Sequence, residues 1–98
     1  MTEVAQNTRK QLNPIVLVGN GYRSFVALDN GIILNFKLSR PYGGRIITIT
    51  LNAWDLYDVK VERVGKKGIV YEVAEYTMVY FNQLDGFIIK GIAQSCER

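Results

Sequence analysis

The chain has 98 residues, 48% of them hydrophobic and 21% charged, with a formal net charge of +3, one cysteine and no histidine. That length makes one small domain, and so modest a positive charge permits contact with nucleic acid without requiring it. The absence of histidine removes the commonest general base and metal ligand. With only one cysteine besides, an ordinary structural zinc site within one chain is excluded.

Residues 1–13, "MTEVAQNTRKQLN", are polar and mixed in charge. Val4 and Leu12 offer little apolar anchorage, so a flexible N-terminal arm or weak helix is expected, ended at Pro14 because the residue before a proline is pushed away from helix. This start lacks the apolar core of a secretory signal. The apolar runs, such as Ile15 to Val18, fall far short of the roughly 20 residues a membrane-spanning helix needs. Cys96 cannot form an internal disulfide. A soluble protein of a reducing, cytoplasmic interior is expected, with no membrane contact.

Residues 14–98 read as a single α+β domain. "IVLV" at 15–18 suits a buried strand, and "GNGY" a turn. "SFVAL" at 24–28 and "GIILNFKL" at 31–38 flank "DNG", a hairpin signal. In the second segment Ile32, Leu34, Phe36 and Leu38 share one face. "RPYGG" at 40–44 is a turn, and "RIITITLN" puts Ile47, Ile49 and Leu51 on one side. "NAWD" interrupts the alternation as a corner, with Asn52 and Asp55 bonding backbone N–H groups and Trp54 folding over the core rim. Tyr57, Val59 and Val61 then share a face. "GKKG" at 65–68 is a second tight turn, followed by Ile69, Tyr71 and Val73.

From about Tyr76 the period changes. Phe81, Leu84, Ile88 and Ile92 recur at helical spacing, and Thr77 is a candidate cap. The expected fold is an antiparallel β-meander of about five to six strands with one C-terminal helix packed on one face.

The residues "GYRSF", then Leu51, Asp55, Tyr57, Val59, Arg63 and Val64 within "LNAWDLYDVKVERV", then "VYFNQL" at 79–84, resemble a set of small bacteriophage- and prophage-encoded proteins of unassigned activity. The resemblance spans about residues 15–90, with a longer "GKKG" turn here. It implies a phage or mobile-element setting.

"LVGNGYR" lacks the following helix that a phosphate-cradling loop needs. Asp55 and Asp58 read as corner residues before they read as a carboxylate pair. Cys96 has no histidine to activate it. No catalytic, cofactor-binding or metal-binding residues are therefore assigned. Charge layout is more informative. In a meander the turns at 39–44 and 65–68 share one end, about 10 Å apart. Lys37, Arg40, Arg45, Arg63, Lys66 and Lys67 gather there with Tyr42, as a candidate binding surface. Asp29, Asp55, Asp58 and Glu75 gather at the other end with Trp54. Ile33, Ile46 and Val70 fall on the sheet face opposite the helix, a candidate interface for a homodimer.

Three functions are weighed. The first is a non-catalytic interaction protein of a phage or mobile element, binding a host or viral macromolecule and modulating it. The second is a DNA- or RNA-binding protein using the basic turns, where counterion release supplies affinity and Tyr42 stacks on a base. The third is a small carboxylate-dependent hydrolase or nuclease.

Overall fold

The alternating segments form one antiparallel sheet in the computed structural model. Its five strands are β1 (Tyr22–Leu28), β2 (Gly31–Leu38), β3 (Gly43–Leu51), β4 (Tyr57–Val64) and β5 (Val70–Val79), which lie side by side in chain order. The structure describes residues 3–19, 21–38 and 43–96, with residues 3–5, 9 and 66 described in their backbone only. Each strand pairs with the next through a short connection, so the architecture is an α+β meander.

Period-two alternation explains the core. Ile32, Leu34 and Phe36 of β2, Ile47 and Ile49 of β3, and Tyr57, Val59 and Val61 of β4 are all buried on one face. Helices cover that face: α1 (Glu3–Gln11), α2 (Pro14–Gly19) and α3 (Leu84–Ser95). α3 lies over β4 and β5, α1 over β2 and β1, and α2 against β1. Leu84, Ile88 and Ile92 form the buried stripe of α3. Two glycines permit close approach. A Cβ on Gly91 of α3 would stand 2.6 Å from Val61 Cγ2, and one on Gly31 of β2 would stand 1.9 Å from the Ile49 carbonyl oxygen.

The N-terminal segment departs from the sequence reading. Residues 15–18 are helical, not a strand. Pro14 begins α2 with its φ already suited to a first helical turn. Asn13 caps it: its Oδ1 accepts from Ile15 N–H at 2.9 Å, and its carbonyl accepts from Leu17 N–H at 3.1 Å. α1 buries Thr8, and Leu12 just beyond it is also buried, so residues 3–12 sit in the helical layer rather than standing off as an arm.

The end of the sheet differs as well. Strand continues through Val79, so Thr77 caps nothing. β5 carries register shifts opposite Tyr57/Val59 and Val61/Glu62, and Met78 has φ 56°. These bulges break the alternation and imitate a change of period. The helical segment starts with a 3-10 turn, Phe81–Gln83, where the Gln83 Oε1 accepts from Tyr80 N–H at 3.1 Å. Phe81 stands outside the buried stripe. The loop between β4 and β5 is wider than a tight turn: Gly65 N–H donates to Ile69 O at 2.6 Å around a 3-10 segment, Lys66–Gly68.

Candidate interaction site

The meander places the end of β2 at Leu38, the start of β3 at Gly43 and the loop at 65–69 at one end of the sheet. Arg40 and Tyr42 lie outside the described residues, as does the Lys66 side chain. Lys37, Arg63 and Lys67 are exposed. Lys37 and Arg63 belong to opposite faces of the sheet, since Lys37 alternates with buried Phe36 and Arg63 shares parity with buried Val61. The Arg63 guanidinium lies over the Tyr71 ring, 5.1 Å from its centroid.

Arg45 does not join that surface. It is only 2% exposed. The core-facing parity of β3 points it under the C-terminal end of α3. There Nε donates to Ser95 Oγ at 2.6 Å, Nη2 to Ser95 O at 3.2 Å and Nη1 to Gly44 O at 2.8 Å. The Ser95 hydroxyl in turn donates to Ile92 O at 2.6 Å. A guanidinium at a helix C-terminus neutralises the partial negative charge of the last carbonyls. Arg45 is a clamp between sheet and helix.

On the face opposite the helices, Ile33 and Ile46 are half-buried diagonal neighbours, with Ile33 opposite Thr48 and Asn35 opposite Ile46. Val26 extends their patch from β1, opposite Ile33. Val70 is exposed but sits beside Val64, on the far side of Glu62 and Glu72, which pair across β4 and β5. The face divides into an apolar half on β1–β3 and a charged half on β4–β5. Ile33, Ile46 and Val70 are not one contiguous patch.

The opposite end of the sheet holds more. Asn52 organises the corner after β3. Its Oδ1 accepts from Trp54 N–H at 2.8 Å and Leu56 N–H at 3.2 Å. Its Nδ2 donates to Asp58 Oδ1 at 3.1 Å and reaches Met78 Sδ at 3.5 Å. Asp55 takes the left-handed backbone position, φ 59°. So the corner reading holds, but Asn52 is its organiser. Trp54 does not fold over the rim; it is 73% exposed. The register brings the end of β5 alongside, with Val79 opposite Tyr57. Met78, Tyr80 and Phe81 there are all exposed, Phe81 by 61%. Strand pairing and the Asn52 contact thus bring Trp54 and Met78 to one end of the sheet, near Asp55 and Asp58, with Tyr80 and Phe81 following Val79 at the end of β5.

Sequence reasoning assigned Trp54 and Phe81 to the core, and so missed them as surface residues. The missed signal was local: Asn52 and the left-handed Asp55 close the turn through backbone groups and leave the Trp54 side chain no packing task. Asn13 before Pro14 was a second missed signal, an N-cap followed by a favoured first helical residue.

Among the described residues no group of three or more His, Cys, Asp or Glu side chains is placed to hold a metal ion. Cys96 is a free, half-buried thiol. No helix among the described residues is long and apolar enough to cross a membrane. Compared with known proteins, the chain matches no family model, no curated protein and no solved structure.

Proposed function

We propose that this chain is a non-catalytic interaction protein of a phage or mobile element, acting inside a host cell by binding a host or viral protein and modulating it. The observation that carries this reading is the exposed corner of Trp54, Met78, Tyr80 and Phe81. Large apolar side chains grouped on a surface gain nothing in water, whereas aromatic residues and methionine are enriched where proteins meet. Asp55 and Asp58 beside them favour a partner that presents cations around an apolar anchor. The phage setting rests on the resemblance of "GYRSF", "LNAWDLYDVKVERV" and "VYFNQL" to phage and prophage proteins.

A nucleic-acid role is less well supported. Of the residues assigned to the basic end, the exposed cations Lys37, Arg63 and Lys67 are divided between the two faces and the loop, rather than aligned along one groove.

The test is affinity purification of tagged protein from host cells, comparing wild type with the Trp54→Ala/Phe81→Ala double variant. A partner recovered stoichiometrically with wild type, rebuilt from purified components and weakened at least tenfold by the double variant supports the reading. Tight, steeply salt-dependent binding to generic DNA or RNA that ignores both substitutions favours the nucleic-acid function instead.

A further inference from the structure

Helix α3 carries two glycines, and the fold accounts for only one of them. Gly91 lies against Val61, where a Cβ does not fit. Gly86 is exposed in the first turn, its φ is not positive, and a Cβ there would meet nothing within 4 Å. Glycine is a poor helix former at such a position, so neither packing nor backbone geometry asks for it. What the missing side chain leaves is room. Gly86 lines a surface groove of about 310 Å³ together with Asn82, Gln83, Phe87 and Lys90. That is the space of roughly ten water molecules, enough for one large side chain and its main chain.

The groove has an ordered wall and a charged end. Phe87 packs at a tilt on Tyr76 of β5, with ring centroids 4.9 Å apart, and the Tyr76 hydroxyl donates to Gln94 Oε1. Lys90 Nζ lies 5.5 Å from the Tyr76 centroid and 5.8 Å from that of Phe87, within the range of a cation–π contact. The rings hold the ammonium at the end of the groove without neutralising it. Among the described residues no carboxylate pairs with Lys90. The carboxylate nearest to the groove in sequence, Asp85, accepts from Asn13 N–H at 3.0 Å. At the other end Asn82 presents an exposed carboxamide, a group that both donates and accepts.

Carboxamide, apolar floor and cation thus follow one another at residues 82, 86–87 and 90, along about 12 Å of helix axis. A ligand that answers all three carries a peptide group, an apolar side chain and a carboxylate in that order. The last residue of a protein chain holds them together in one unit, and its negative charge complements Lys90.

We infer that this groove binds the apolar C-terminal residue of a partner protein. The carboxylate pairs with Lys90, the side chain lies on Phe87 in the space that Gly86 leaves, and the last peptide group bonds Asn82. This goes beyond the function proposed above: it uses α3 rather than the Trp54 corner, and it takes an anion where that corner favours cations.

Titration of isotope-labelled protein with N-acetyl-phenylalanine, followed by the amide chemical shifts of residues 82–90, tests it. Saturable shifts are expected with a Kd of about 1–10 mM, as befits a single residue of ligand. N-acetyl-phenylalanine amide lacks the charge and acetate lacks the ring, and each binds about fivefold more weakly or worse. Lys90→Met keeps the stem and removes the charge, whereas Gly86→Leu fills the floor; each weakens binding about fivefold or more. Lys60→Met removes a cation from the sheet face opposite the helices and leaves binding within about twofold. Gly86→Leu keeps the thermal midpoint at or above that of wild type, because the fold makes no demand on that position. The inference is overturned if residues 82–90 show no saturable shift, or if the amide or acetate binds as well as the acid. It is overturned equally if Lys90→Met does no more than Lys60→Met, or if Gly86→Leu binds as wild type or melts below it.

Discussion

Replacing Arg45 tests the clamp between sheet and helix. Arg45→Ala removes hydrogen bonds from a charged donor, among them those to Ser95 Oγ, Ser95 O and Gly44 O. Bonds to a charged group are worth about 1.5–3 kcal/mol each, though they do not add when they share one side chain. The favourable placement at the C-terminus of α3 contributes up to about 2 kcal/mol. Against this stand the desolvation of a buried cation and the position of Arg63 directly opposite Arg45. The expected net loss is about 3 kcal/mol, equivalent to roughly 12–15 °C in thermal midpoint for a domain of this size. Arg45→Lys keeps the charge but not the fork that reaches both Ser95 atoms, so it recovers less than half of the loss. Ser95→Ala costs about 1–2 kcal/mol, and its effect shrinks in an Arg45→Met background, where the bond from the Ser95 hydroxyl to Ile92 O is what remains. The assay is urea denaturation of the four combinations of Arg45→Met and Ser95→Ala. Full additivity, or an Arg45→Ala variant within about 0.5 kcal/mol of wild type, refutes the clamp.

Gly91→Ala is expected to destabilise by about 1–3 kcal/mol, because its Cβ meets the buried, stiff Val61 side chain and separates α3 from β4; the urea midpoint reports it. Asn52→Ala costs about 1–2 kcal/mol through the loss of two backbone N–H partners in the corner. Asp55→Gly in the same corner is neutral or stabilising by up to about 1 kcal/mol, since relief of the left-handed strain offsets the added freedom of the unfolded chain; thermal melts of both variants distinguish organiser from passenger. Trp54→Ala changes stability by less than about 0.5 kcal/mol, as expected of an exposed side chain, in the same melts.

Much of the sheet was legible because it rests on the simplest signal. Ile32, Leu34, Phe36, Ile47, Ile49, Val59 and Val61 alternate without interruption, and all are buried. The elements misread are those where a second rule competed with periodicity. "IVLV" has β-branched composition, but the Asn13 cap and Pro14 decide the helix. Tyr76 to Val79 lost its alternation to bulges, which move side chains between faces without ending the strand. Arg45 was grouped with its charged neighbours because charge usually marks surface. Its position in the β3 alternation, in step with Ile47 and Ile49, pointed inward instead, and only the helix end above it makes that burial tolerable.

The same distinction explains why the candidate site moved from one end of the sheet to the other. A basic cluster is visible in composition, whereas an exposed apolar corner is visible only when burial is known. The fold itself makes little demand on residue 54. Asn52 closes the corner using the Trp54 backbone N–H, and that contact is available to nearly any residue placed there. A large indole left 73% exposed contributes nothing to the sheet that a small side chain would not. Met78 sits in a bulge on an edge strand, and Tyr80 precedes and Phe81 opens a 3-10 turn in which Gln83 Oε1 accepts from Tyr80 N–H. At each of these positions the backbone is specified by a neighbour and the side chain is left over. Stability therefore does not account for the chemistry of this corner, and that is why the proposed interaction is placed there.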